Sequence, residues 1–126
     1  MNRTADRIGR GLMGFDAVTT LIPLVSGLLV LTTVPDDRII TEAWRTFAYA
    51  VFAGLWAILA IWPRTLPGLW EILIFQKTAI TVFSLAMLGK PEAAQTAVVD
   101  SILVVTTVTA YLLCRGWTPW QQLRKR

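Results

Sequence analysis

Four long apolar stretches constrain the fold of this chain more than any other feature of its sequence. They run from about residue 15 to 34, from 43 to 62, from 68 to 88 and from 93 to 114. About 20 mostly apolar residues are enough to cross the ~30 Å hydrocarbon core of a bilayer, so each stretch is long enough to span it. Backbone polar groups cannot stay unpaired in lipid, which predicts an α-helix for each stretch. We therefore predict an all-α integral membrane protein with a single four-helix transmembrane domain over residues 1–126.

The short connections and the positions of the basic residues predict how the helices are arranged. Short loops make sequential helices antiparallel neighbours, as in an up-down bundle. Eight of the twelve Lys and Arg residues fall in the two terminal tails and in the loop after the second stretch. Because basic loops stay on the cytoplasmic side, we expect both termini there, in a multi-pass protein of the inner or plasma membrane. Residues 1–14 are expected to lie along the inner surface.

The composition excludes several kinds of chemistry. Hydrophobic residues make up 55% of the chain and charged residues 16%, and histidine is absent. The lack of histidine excludes His-ligated haem, His-based zinc sites and Ser-His-Asp catalysis. Cys114 is the only cysteine, which excludes an intrachain disulfide. We expect no cofactor, no metal and no nucleic-acid partner. The expected partners are the lipid bilayer, a hydrophobic small molecule, and a second copy of the chain or another membrane protein.

A lysine and an aspartate are predicted to meet inside the membrane. Charges are costly there, so they usually face inward and pair. At ~1.5 Å per residue, Lys77 on the third helix and Asp100 on the fourth differ in depth by about 7 Å. The long lysine stem can reach across that difference. Arg45, at the start of the second helix, is the alternative partner for Asp100.

Polar residues extend this pair into two stripes that face each other. Helical spacing places Lys77, Thr81 and Ser84 on one face of the third helix. The fourth helix carries Thr96, Asp100 and Thr107 in the same way, and Gln76 and Ser101 adjoin the stripes. Such a seam either fixes the register of two helices or forms a ligand or proton site.

Two further carboxylates belong near the inner boundary of the bilayer. Asp16 lies at the entrance of the first helix and Glu71 near the start of the third. Carboxylates at one depth can share a proton or act as an acid and a base. The simpler expectation is that each meets Arg10, Arg64 or water at the headgroups.

The overall plan resembles the DoxX-like group of small four-helix membrane proteins. The likeness lies in the length, the four closely spaced helices and the acid early in the third helix, within Pro67, Gly68, Leu69, Trp70 and Glu71. The resemblance implies a four-helix membrane fold. Some members of the group are linked to quinone or sulfur redox chemistry, but no family catalytic residue can be placed on this chain.

Three functions are compatible with these patterns. The first is binding of a hydrophobic small molecule or a membrane partner at the seam, through Asp16, Arg45, Gln76, Lys77, Thr81, Ser84 and Thr96. The second is an intramembrane enzyme in which Asp100 or Glu71, kept protonated by apolar surroundings, acts as general acid. Its reaction would be isomerisation or cyclisation of an isoprenoid or sterol-like substrate. The third is proton-coupled export by a small transporter subunit that uses the same carboxylates.

Overall fold

The computed structural model describes residues 2–126 and contains five helices. They are α1 (Arg3–Val30), α2 (Asp36–Ile61), α3 (Leu69–Ala86), α4 (Ala93–Leu113) and α5 (Thr118–Arg124). The first four are long and apolar enough to cross a membrane. The all-α class and the four apolar helices predicted from hydropathy are therefore confirmed, and the short α5 is an addition.

Helix α1 begins much earlier than the hydropathy pattern predicts. The side chain of Asn2 accepts hydrogen bonds from the backbone amides of Thr4 and Ala5, at 2.9 and 3.3 Å, and so caps the helix at Arg3. The predicted surface segment over residues 1–14 is corrected accordingly: from Arg3 onward it is the first part of α1. Met1 lies outside the described residues. This part of α1 packs inward, since Gly9 and Met13 are buried.

Helix α2 also starts earlier than predicted, at Asp36 instead of residue 43. Pro35 precedes the first turn, and Asp36 and Asp37 lie within it. Carboxylates in the first turn stabilise the positive end of the helix dipole, which explains the extension into polar sequence. The limits of α3 and α4 agree with the predicted stretches to within about two residues.

Close helix contacts occur where small residues meet a neighbour. Helix α1 packs against α2 and α4, α3 packs against α4, and α2 and α3 approach each other at few positions. Gly27 of α1 lies directly against Thr46 of α2, and Gly9 lies against Cys114 just beyond α4. In lipid, small residues at such crossings allow the close packing that holds helices together.

Apolar side chains lie both in the core and on the outer surface, as is compatible with a membrane protein. The buried core contains Met13, Trp56, Leu59, Trp70, Leu73, Ala110 and Cys114. Large apolar side chains also cover the outside of all four long helices, with Ile22, Phe47, Ile72 and Val105 each at least 60% exposed. A water-soluble domain rarely exposes apolar surface on this scale.

Candidate functional site

A buried ion pair joins α3 to α4. The Nζ atom of Lys77 lies 3.0 Å from Oδ1 of Asp100 and donates a hydrogen bond to it. Their side chains are only 10% and 12% exposed. The pair predicted from helix depth is therefore present. Arg45, the alternative partner, instead binds Glu92 through two hydrogen bonds of 2.9 Å.

Two aromatic rings of α2 also lie close to the lysine. The ammonium of Lys77 lies 4.0 Å from the centre of the Phe52 ring and 5.5 Å from that of Trp56. Ring faces attract a cation, most strongly where water is excluded. The indole of Trp56 in turn donates to the hydroxyl of Thr107 on α4 at 3.2 Å. Lys77 of α3 therefore contacts both α2 and α4, and it does so where α2 and α3 are otherwise loosely packed.

The remaining polar residues of the seam fall into three groups. Thr81 and Ser101 donate to backbone carbonyls four residues earlier in their own helices, at 2.7 and 2.5 Å. Gln76 keeps its amide oxygen buried without a hydrogen-bond partner among residues 2–126. Ser84 and Thr96 differ from Thr81 and Ser101: both line an open cavity.

This Ser84 cavity lies between α3 and α4 at the end where the two helices are connected. Its volume is about 300 Å³, and its walls are Ile80, Phe83, Ser84, Met87, Lys90, Pro91, Glu92, Ala93 and Thr96. Ser84 is seven residues beyond Lys77 on the same face of α3, or about 10 Å along the axis. The Lys77–Asp100 pair therefore lies beneath the cavity and holds the two helices that form it.

An apolar groove on α3 adjoins the Ser84 cavity. This α3 groove has a volume of about 480 Å³ and is lined by Phe75, Thr78, Ala79, Val82, Phe83 and Ala86. Phe83 lines both spaces. From Phe75 to Ala86 the groove extends about 16 Å along the helix. The arrangement places a cavity with polar groups at one end of an apolar track.

Asp16 and Glu71 each have their own hydrogen-bond donors. Asp16 is 1% exposed and accepts a 2.6 Å hydrogen bond from Thr106 of α4. Glu71 accepts from the hydroxyl of Tyr111 at 3.2 Å and from the indole of Trp120 at 3.0 Å. These neutral donors take the place of the arginines that the sequence suggested for both carboxylates.

The two arginines expected near those carboxylates instead bind the ends of helices. Arg10 donates to the carbonyls of Ala60 and Ile61 at the end of α2. These are carbonyls that the helix leaves unpaired. Its guanidinium thus ties α1 to the end of α2.

Arg64 forms a second contact of this kind that sequence reasoning missed. It donates to Asp6 at 2.5 Å and to the carbonyl of Cys114 at 2.9 Å. It joins α1, the α2–α3 loop and the end of α4. Asp6 is separated from Arg64 by 58 positions. The only signal in the sequence was an acidic residue within an otherwise basic tail.

The electrostatics at the cavity mouth follow from the Arg45–Glu92 contact. The hydrogen bonds and the charge of Arg45 hold the pKa of Glu92 below its ordinary value. Glu92 is the residue immediately before α4 and has a positive φ of 66°. Its carboxylate is thus fixed toward α2.

Comparisons with other proteins and a search for metal sites give no assignment. Among residues 2–126 there is no group of three or more His, Cys, Asp or Glu side chains that could hold a metal ion. No protein-family model, curated protein or solved structure matches the chain. The resemblance to the DoxX-like group therefore stays a prediction.

Proposed function

We propose that the chain is a multi-pass membrane protein whose four long helices form an up-down bundle, with both chain ends on the cytoplasmic side of an inner or plasma membrane. The exposed apolar surface on all four helices supports this arrangement. The exposed basic residues Arg3, Arg7, Arg115, Arg124, Lys125 and Arg126 cluster near the chain ends and support the orientation. The Ser84 cavity then opens in the outer leaflet.

We propose that this bundle binds an amphipathic molecule with a single apolar chain. The observation that carries the proposal is that the Ser84 cavity and the α3 groove adjoin, with Phe83 lining both. The groove is about 16 Å long. One leaflet contributes about half of the ~30 Å hydrocarbon core, so the groove matches a chain lying within the outer leaflet. Its polar end would then reach Ser84 and Thr96.

The contacts favour binding over acid catalysis. A general acid must lie within hydrogen-bond reach of the atom that it protonates. Neither Asp100 nor Glu71 lines the Ser84 cavity or the α3 groove. Asp100 accepts a hydrogen bond from Lys77, and Glu71 accepts from Tyr111 and Trp120. In this proposal the Lys77–Asp100 pair positions α3 against α4 and does not contact the ligand.

Photolabelling can test the proposal. The full chain, in nanodiscs of phosphatidylcholine, is exposed to a long-chain alcohol with a diazirine in its alkyl chain, and labelled peptides are mapped. We expect labels concentrated over residues 75–86. Ala79→Phe fills the groove and should reduce this labelling several-fold. Ala50→Phe is the matched control, since Ala50 is likewise exposed, but on α2.

The alternative result is equally definite. If the alcohol probe only mixes with the lipids around the protein, it should label the exposed faces of α1, α2, α3 and α4 to similar extents. If the label is distributed in this way and Ala79→Phe has no more effect than Ala50→Phe, the proposed binding function is wrong.

A further inference from the structure

We propose that the ligand's polar end is an oxyanion, so that the occupant is an anionic lipid of the outer leaflet. This inference rests on the proposed binding function. Three residues that line the Ser84 cavity carry side-chain donors: Lys90 an ammonium, and Ser84 and Thr96 hydroxyls. A carboxylate or phosphate oxygen is an acceptor that all three can share.

Among residues 2–126, the ion pairs around the cavity leave one lining residue, Lys90, with an unpaired charge. Glu92 is the one acidic residue that lines the cavity, and Arg45 binds it through both carboxylate oxygens. Arg45 also lies 3.6 Å from Glu42, which is paired with Arg38 at 3.0 Å. Lys90 has no ion-pair partner within the described part of the chain. Its ammonium is therefore the charge available to an incoming head group.

The hydroxyl groups at the cavity are also available as donors. Thr81 and Ser101 are occupied by carbonyls of their own helices. Ser84, which is 5% exposed, and Thr96 make no comparable side-chain hydrogen bond anywhere in residues 2–126. Both hydroxyls are therefore free to donate to a ligand oxygen.

The size of the site determines which kind of anion fits. The apolar groove adjoins the cavity at Phe83 and is about 16 Å long, and a free inorganic anion would leave this surface unoccupied. The cavity and the groove adjoin at Phe83, and both are open to the outside of the bundle. A head group with an attached chain can therefore enter from the leaflet without passing through the bundle core.

The experiment compares two diazirine probes of identical chain, a carboxylate and an alcohol, in the same phosphatidylcholine nanodiscs at mildly alkaline pH. Hydrogen bonds to a charged group are stronger than those to a neutral group, so the carboxylate should bind more tightly than the alcohol. We expect half-maximal labelling of residues 75–86 at an about tenfold lower concentration of the carboxylate. Lys90→Gln should reduce this preference to about twofold or less, while labelling by the alcohol persists. Lys125→Gln, close to the C-terminus and outside the cavity lining, should leave the preference unchanged.

The possible failures are distinguishable. Equal labelling of α3 by both probes overturns the oxyanion assignment and leaves the binding function standing. A preference that survives Lys90→Gln also overturns the assignment. Inorganic phosphate could compete with the carboxylate probe as effectively as the same carboxylate without its diazirine does. That result would show that the alkyl chain of the ligand is not required, which contradicts a lipid occupant. If neither probe concentrates on α3, both proposals fall.

Discussion

Removing the charge of Asp100 should destabilise the bundle by an amount that depends on Lys77. In Asp100→Asn the lysine ammonium stays 4.0 Å from the Phe52 ring but loses its counter-charge. Breaking a buried ion pair from one side costs about 3–5 kcal/mol. The ring face still attracts the ammonium, and the asparagine oxygen can still accept a hydrogen bond, so we expect a loss near the lower limit, about 3 kcal/mol.

The double variant distinguishes an ion pair from two independent polar residues. Lys77→Met alone leaves the carboxylate of Asp100 buried without a counter-charge and should also cost about 3 kcal/mol. Lys77→Met combined with Asp100→Asn removes both charges of the pair. We therefore expect the double variant to be more stable than either single variant.

The assay is unfolding of the full chain in mixed detergent micelles, followed by far-UV circular dichroism. Asp37→Asn supplies the matched control, since Asp37 is exposed in the first turn of α2. It removes one exposed first-turn carboxylate and should change the free energy of unfolding by no more than about 1 kcal/mol. If the losses of the two single variants add to within about 0.5 kcal/mol in the double variant, the residues are not coupled and the reasoning is refuted.

Three further predictions concern helix contacts and the cavity mouth. Gly27→Ala should cost about 1–3 kcal/mol of stability in the same unfolding assay because its Cβ would overlap the threonine opposite it on α2. Gly54→Ala, where the space is open, should be neutral or stabilising, and equal effects would contradict the close contact. Arg64→Gln should lower the free energy of unfolding by about 2 kcal/mol because it removes hydrogen bonds from a charged donor. Arg115→Gln, on the exposed surface, should change it little. Similar losses in the two variants would contradict the assigned role of Arg64. The pKa of Glu92 is lowered in the folded chain, so its ion pair stabilises the fold above the ordinary pKa and this contribution is lost as pH falls through the lowered value. Thermal melts should therefore show that Glu92→Gln reduces the loss of stability between about pH 5 and pH 3, and identical profiles would contradict it.

The four long apolar helices and the central ion pair could be predicted because each depends on a simple constraint. Lipid imposes a minimum length of apolar sequence, which sets α1 to α4 apart from the polar connections. A fixed rise per residue gives the depth of a charged group along its helix, which brought Lys77 and Asp100 together. These constraints operate along one helix or between adjacent helices.

The rest depends on contacts that hydropathy does not encode. Helix α1 starts at Arg3 because Asn2 caps it and Gly9 packs closely against Cys114, and both effects require the folded structure. Thr81 and Ser84 belong to the same polar stripe. Only packing where α3 ends distinguishes Thr81, which bonds to its own helix, from Ser84, which lines a cavity.

Solid-state NMR in lipid bilayers tests most directly whether Lys77 and Asp100 join α3 to α4. The chain has three lysines, Lys77, Lys90 and Lys125. With ¹⁵N at the lysine Nζ atoms and ¹³C at the aspartate carboxyl groups, dipolar recoupling measures their separation in the unmodified protein. We predict that the Lys77 resonance, assigned from its loss in Lys77→Met, shows strong coupling to an aspartate carboxyl carbon, since a carboxylate oxygen lies 3.0 Å from Nζ. If the Lys77 nitrogen shows no such coupling, the ion pair that holds α3 against α4 is absent.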